Sequence, residues 1–202
     1  MKPVAEFSWL LSFDDADERT ANERARGVAA LLNGLKPEGM VEAVPAARSV
    51  LVEGSPSFDS GILVGLDTAS FRGPAPAAAA LEIRARLDGE DLPEVSEALG
   101  FSVEAFGDAL LGASYTVGFL GFAPGFPYLY GLPERLRRPR RRTPRLSVPA
   151  GSLAMAGPYI GIYPASMPGG WNLLGSVEAV LFDPGRNPPA LFSPGDTVRF
   201  RR

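Results

Sequence analysis

From Tyr115 to Arg202 a proline or glycine cuts each apolar run before a helix could complete more than about two turns. Short runs joined by tight turns are the pattern of a β-sandwich or a closed barrel. The stretch "GFLGFAPGFPYLYG" (Gly118 to Gly131) is the extreme case, with four glycines, three phenylalanines, two prolines, two tyrosines and no charge. Tyr115 to Phe122 reads as a strand. Ala123 to Gly131 reads as an irregular loop in which Pro124 and Gly125 set a turn. Phe126, Tyr128 and Tyr130 are then available either to line a surface or to plug one end of the barrel.

The first part of the chain reads differently. Phe7, Trp9, Leu11 and Phe13 alternate with smaller or polar residues, as in a half-buried strand. From Thr20 to Leu35, helical spacing places Val28, Leu31, Leu32 and Leu35 on one face, and Gly34, Pro37 and Gly39 end the helix. Met40 to Val44 and Ser49 to Glu53 read as two further strands, giving a β-α-β-β start. "GPAPAAAA" (Gly73 to Ala80) reads as a linker, so residues 1–78 are expected to form a small α+β domain and residues 79–202 a mainly-β one. The second domain opens with a strand in which Leu81, Ile83, Ala85 and Leu87 alternate with charges. Two short helices follow, one capped by Asp91 with Pro93 in its first turn and one capped by Ser102.

Composition removes whole classes of chemistry. The 202 residues contain no histidine and no cysteine, so Ser-His-Asp and Cys-His arrangements, His- or Cys-ligated zinc and disulfides are excluded. Lysine occurs only at Lys2 and Lys36, which leaves the second half without a Schiff-base or P-loop lysine. Carboxylates able to hold a hard cation are scarce there, and no metal is expected. Phe7 to Leu11 is apolar, but Ser8 interrupts it and Asp14, Asp15 and Asp17 close it too early for a signal peptide or a membrane span. The cytoplasm is the expected compartment, with no membrane partner.

Charge is strongly polarised. From Gly112 onward eleven arginines face only four acids, Glu134, Glu178, Asp183 and Asp196, although the whole chain carries −3. Asp183 in "DPG" and Asp196 in "PGD" sit where turns need them. Either the cationic part attracts the acidic part of the same chain, or it takes a small anionic ligand or an acidic partner surface. Seven of the arginines fall in "PERLRRPRRRTPR" (Pro133 to Arg145). Prolines forbid a continuous helix there and no aromatics interleave, which argues against nucleic acid. The planar fork of arginine suits carboxylates and phosphates. In "GIYPASMPGGWNLLG" (Gly161 to Gly175), Gly169 and Gly170 precede Trp171. They either let backbone amides face an anion or make a tight turn with Trp171 packed inward.

In order and spacing, "GFAPGFPYLYGLPERL", "PRRRTPRLSVPAGSLAMAG", "GIYPASMPGGWNLLG" and "LFDPGRNPPALFSPGDTVRF" resemble the carboxyltransferase C/D-subdomain family. Its members include the B subunit of ATP-dependent 5-oxoprolinase, allophanate hydrolase subunit 1 homologues and the KipI inhibitor of a histidine kinase. The resemblance implies a ferredoxin-like α+β domain followed by a cyclophilin-like barrel. It further implies work with a second cyclophilin-like subunit and a third protein, ATP as a cofactor of the complex, and a small anionic substrate such as 5-oxoproline. Arg140, Arg145, Ser152 and Tyr163 are then the ligand-facing candidates, joined by Gly125, Phe126, Gly170 and Trp171, with no catalytic residue assigned. Three places depart from the family pattern: Leu110 or Leu111 stands where a histidine is usual, Gly157 to Gly161 replaces Gly-Gly-Gln-Thr-Gly, and Ser176 and Val177 replace Arg-Thr. The alternative the resemblance allows is a kinase-inhibiting binding protein or an inactive member.

Overall fold

The computed structural model describes residues 1–15, 17–66 and 80–202. The chain divides into two compact units, Met1–Ala75 and Pro76–Arg202. All but the last residue of the expected linker, Gly73 to Ala80, lies outside the described residues. Among those described, no helix is long and apolar enough to cross a membrane.

The first unit comprises β1 (Lys2–Ala5), β2 (Ser8–Ser12), α1 (Glu18–Leu35), β3 (Met40–Pro45), β4 (Ser49–Gly54) and a single helical turn, α2 (Gly61–Val64). Its strands form one antiparallel sheet in the order β1-β2-β4-β3. The order along the chain is therefore ββαββ, because the exposed Lys2–Ala5 segment adds an edge strand that lacks the alternation of β2. Asp17 caps α1, its carboxylate accepting from the Thr20 amide at 2.9 Å. That bond holds the Asp17 pKa below its usual value. The helix buries Ala21, Ala25, Val28 and Leu32, whereas Leu31 is only half-buried and Leu35 is exposed. The small alanines, rather than a stripe of leucines, set the contact face, and they let α1 lie close to β3 and β4. Lys36, in the left-handed region at φ 44°, terminates it.

The second unit contains β5 (Leu81–Arg86), α3 (Leu92–Ala98), α4 (Val103–Leu111), β6 (Ser114–Leu120), β7 (Pro127–Tyr130), a 3-10 turn (Glu134–Leu136), β8 (Arg145–Val148), β9 (Ser152–Ala156), β10 (Tyr159–Ile162), β11 (Met167–Gly169), β12 (Asn172–Val177) and β13 (Thr197–Arg201). Seven strands close into a barrel in the order β10-β7-β6-β13-β5-β12-β9. Every pairing is antiparallel except β13 with β5. Closure leaves no sheet edge to protect, and β8 and β11 make a separate two-stranded ribbon.

Leu81 to Arg86 forms the strand its alternation predicts, with Ile83 and Ala85 facing the core. Tyr115, Val117, Leu129, Met155, Ile160 and Phe200 fill the same core. Leu92 and Val95 of α3 and Phe106 and Leu110 of α4 extend it. Ser102 caps α4 through the Ala105 amide at 3.1 Å. Asp183 and Asp196 accept from the Gly185 and Ser193 amides in their own turns, at 2.9 and 2.7 Å. The segment expected to be an irregular loop is only partly one. Pro127–Tyr130 is the strand β7, since a proline can open a strand and Leu129 then points into the barrel.

Candidate functional site

Two features lie side by side in the second unit, and each is built by the Pro- and Gly-rich loops. The first is a cluster of rings. Phe126 is its hub, with ring centroids 5.3 Å from Tyr163, 5.4 Å from Trp171, 5.2 Å from Tyr128 and 5.5 Å from Phe122. Most of these contacts are edge-to-face, the arrangement that ring quadrupoles favour. Phe119 and Tyr128 face each other across β6 and β7 and stack at 4.3 Å. Glycine makes the packing possible. A Cβ on Gly161 would lie 2.7 Å from the Phe126 ring and 2.8 Å from that of Trp171. Gly125 takes φ +80° and turns the chain against Leu181 and Phe182.

Tyr163 is buried within this cluster. Burial pushes its phenol up, while the Trp171 amide, hydrogen-bonded to it, pulls the other way. Burial raises Tyr128 in the same sense. Phe122 instead stands 65% exposed on the loop before β7. It occupies the left-handed region at φ 69°, and the Ala123 amide donates to the Gly121 carbonyl across it at 2.8 Å. That is a γ-turn with positive φ, a strained conformation for a side-chain-bearing residue.

The second feature is a groove of about 430 Å³ lined by Glu94, Arg138 to Thr143 and Asn172. Its loop is pinned at several points. The Gly157 amide donates to Arg138 O at 2.7 Å and the Arg141 amide to Gly170 O at 2.7 Å. Asn172 Nδ2 donates to Pro139 O at 2.9 Å. Beneath the loop, Asp91 Oδ1 accepts from Arg141 Nη1 at 2.6 Å and from Arg145 Nη2 at 2.8 Å, and Oδ2 accepts from the Leu173 amide at 2.7 Å. The Asp91 side chain is only 5% exposed. It stands at the N-cap of α3, where its place in the sequence puts it, yet it makes no cap hydrogen bond. Its carboxylate is spent on the arginine loop instead.

The eight expected site residues separate between these features. Phe126, Tyr163 and Trp171 come together in the ring cluster. Gly125 supports it from behind, and Gly170 joins it to the groove by accepting from Arg141. Arg140 lines the groove and is exposed. Arg145 does not line the groove and is held by the carboxylates beneath the loop. Its side chain, 18% exposed, binds Asp91 and also Glu90, the latter through Nε at 2.6 Å. The bond to Asp91 holds its guanidinium above the usual value against the opposing effect of burial, and Glu90 adds to it. Ser152 is buried at the start of β9, where its hydroxyl donates to Pro149 O at 2.8 Å.

The places that depart from the family pattern also have structural employment. Leu110 is in the core and its carbonyl accepts from the Tyr115 hydroxyl at 2.7 Å. Tyr159 packs edge-on to Tyr128 at 5.5 Å. Ser176 donates to Asp88 at 2.9 Å. Among the described residues, no group of three or more His, Cys, Asp or Glu is arranged to hold a metal ion.

Comparison with known proteins places this architecture. The chain is 51% identical over 112 residues to the 5-oxoprolinase B subunit of Escherichia coli O157:H7, a match covering 55% of this chain and 51% of that protein. It is 47% identical over 114 residues to the Bacillus subtilis protein of the same name, covering 56% and 48%. The matches thus span about half the length of these curated relatives. Among solved structures, TTHA0988 superposes with a TM-score of 0.85 at 41% identity, over 96% of this chain and 39% of that one. PH0987 from Pyrococcus horikoshii matches with a TM-score of 0.59 at 35% identity, over 99% of this chain and 95% of that one. The K. lactis urea amidolyase, at 18% identity, a TM-score of 0.73 and coverage of 97% and 14%, shares the fold. The model of the carboxyltransferase domain, subdomain C and D, matches residues 1–192, and the chain belongs to that family.

Proposed function

We propose that this chain works as a non-autonomous component of an ATP-dependent 5-oxoprolinase-type amidohydrolase, opening 5-oxoproline to glutamate together with a second cyclophilin-like subunit and a third protein. The observation that carries the reading is the identity of 47–51% to 5-oxoprolinase subunits. In the proposed reaction the γ-phosphoryl group of ATP passes to the lactam oxygen, releasing ADP. Water adds at the activated carbon, the ring C–N bond breaks to leave a free amine and an acyl phosphate, and a second water hydrolyses the acyl phosphate to glutamate and inorganic phosphate. Negative charge builds on the transferring group and on the lactam carbon's substituents, and preorganised donors are the means by which a protein stabilises it. Arg140, with Arg145 behind it, supplies cationic donors on one side of Gly170. Phe126, Tyr163 and Trp171 supply an apolar wall on the other, with Gly125 and Ser152 shaping the backbone around them.

The cyclophilin-like and ferredoxin-like names belong to the same reading, as do the domain limits 1–78 and 79–202 and a cytoplasmic site where ATP is available. Support for the small domain's name is topological: β2, α1, β3 and β4 have the order of the first half of a ferredoxin-like sheet, with β1 beside β2. A second reading, a KipI-like binding protein that inhibits a sensor kinase, is favoured by the exposed Phe122.

The test is reconstitution. The chain, co-purified with its second barrel subunit and supplied with the third protein, is expected to give ATP hydrolysis that depends on 5-oxoproline and on all components. A complex that assembles but is inert, alongside a lone chain that suppresses kinase autophosphorylation, would transfer the assignment to the second reading.

A further inference from the structure

We infer that the groove beside Arg140 and Arg142 is a phosphate-binding site, built by this chain alone for a doubly charged phosphoryl group.

The balance of charge around the groove points to a ligand. Five guanidiniums, those of Arg138, Arg140, Arg141, Arg142 and Arg145, meet three carboxylates. Glu94 takes Arg138 at 2.6 Å, Asp91 takes Arg141 and Arg145, and Glu90 takes Arg145 again. Arg140 and Arg142, on either side of Arg141, have no carboxylate partner among the described residues, and both are exposed. The sequence allows the cationic and acidic parts simply to neutralise each other. That neutralisation does occur here, and it stops two arginines short.

The remaining donors also outnumber acceptors. Arg141 Nε and Arg145 Nη1 are buried without a hydrogen-bond acceptor among the described residues. Thr143 adds a hydroxyl to the lining. A carboxylate brings a single charge, as Glu94 does to Arg138. Two spare forks suit a group carrying close to two charges on three acceptor oxygens, which is the description of a terminal phosphate.

Preorganisation distinguishes this cluster from a solvated basic rim. Asp91 holds Arg141 from below, and the backbone of residues 138–141 is tied to Gly157, Gly170 and Asn172. The backbone that carries Arg140 is therefore positioned before any anion arrives, and less backbone entropy is lost on binding. A volume of about 430 Å³ leaves room for more than the phosphate itself.

The phosphate site and the reaction proposed above stand or fall separately. If reconstituted complexes are inert toward 5-oxoproline but the lone chain binds phosphate through these arginines, the reaction is wrong and the site stands. The converse result removes the site and leaves the reaction.

The experiment titrates the full chain with inorganic phosphate, pyrophosphate and ATP by calorimetry at fixed ionic strength, with glutamate as the carboxylate probe. Pyrophosphate is expected to bind, and R140Q/R142Q to weaken it by roughly tenfold or more, the loss of two charge-assisted contacts. The control R84Q/R199Q removes the same charge from exposed positions on β5 and β13 and is expected to change binding less than twofold. Competition by ATP would identify a nucleotide as the source of the phosphoryl group, and binding of phosphate without ATP competition a free or acyl phosphate. Three results overturn the inference: no pyrophosphate binding at millimolar concentration, equal losses in the two double variants, or glutamate binding as tightly as pyrophosphate.

Discussion

The ring cluster and the arginine groove share three consecutive residues, yet they are held by opposite means. Gly170 accepts from Arg141, Asn172 anchors Pro139, and Trp171 between them packs on Phe126. On the ring side nothing is charged, and shape does the holding: Phe126 touches four other rings and fits only because Gly161 has no side chain. On the arginine side shape is open, and one buried carboxylate together with hydrogen bonds to Gly157, Gly170 and Asn172 fixes the arrangement. A packed cluster resists change everywhere at once, whereas the loop is held by a few hydrogen bonds and one carboxylate and leaves the side chains of Arg140 and Arg142 exposed. That asymmetry fits a rigid wall beside a site where ions exchange.

Removing the hub of the ring cluster is expected to cost the most. Phe126→Ala should destabilise the second unit by about 3–5 kcal/mol, because the neighbouring rings are fixed by strands and cannot collapse into the space. The two tryptophans, Trp9 and Trp171, lie one in each unit. Urea unfolding followed by fluorescence in a Trp9→Phe background therefore reports on the barrel alone. A loss below about 1 kcal/mol would mean that the cluster is not a unit.

Asp91→Ala comes next, at about 3 kcal/mol, since it takes the counter-charge from Arg141, leaves Arg145 to the exposed Glu90 and leaves the Leu173 amide unpaired. The partial exposure of both arginines keeps the figure at the lower end of what a buried ion pair costs when broken. Asp91→Asn should recover part of it by keeping an acceptor for Leu173. If urea unfolding shows the two substitutions to be equally mild, the groove does not need its carboxylate, and the contrast between the features fails.

The difference in how the features are held also explains what is legible in the sequence. Glycines and rings make Phe126 and Trp171 visible locally, with a packed position as one of the two readings of each, whereas Tyr163 enters only through the family resemblance and its place beside them needs the fold. α1 and β5 are equally visible because their periodicity lies within one element, although the preference for Ala21 and Ala25 over Leu31 and Leu35 requires knowing how close the sheet comes. β7 is hidden, since a four-residue strand opened by Pro127 has too few alternations to stand out from a turn. Asp91 is hidden for another reason. It lies 50 and 54 residues from Arg141 and Arg145, and an acid before Leu-Pro-Glu is fully accounted for as a helix cap. No local pattern separates a carboxylate that caps from one that has been taken by arginines folding over it.

Alkaline pH offers a gentler probe of the buried rings, Tyr115 in the barrel core and Tyr128 and Tyr163 in the ring cluster. Burial raises the phenols of Tyr115, Tyr128 and Tyr163 in the folded state, while the unfolded chain ionises near pH 10. The native state therefore favours the neutral phenols. Its stability should be level up to about pH 10 and fall as pH rises beyond it, as the unfolded chain releases protons that the folded chain retains. Urea midpoints measured at intervals from pH 8 upward check this, and a midpoint unchanged past pH 10 would show that these phenols reach water in the native state.

The smallest effect is expected where the groove is most cationic. Arg140→Ala and Arg142→Ala remove side chains that are exposed and have no carboxylate partner among the described residues, so each should move stability by no more than about 0.5 kcal/mol in either direction. Easing repulsion between neighbouring guanidiniums should make the sign slightly stabilising at low salt, and added salt should erase the gain within the range where exposed charges are screened. Arg145→Ala, on the same loop, should instead lose stability, because it leaves Asp91 with one arginine and Glu90 with none. Side chains whose removal costs the fold nothing are free to meet an anion. If Arg140→Ala or Arg142→Ala proved as destabilising as Arg145→Ala, those side chains would be structural, and the groove would lose its claim to be a site.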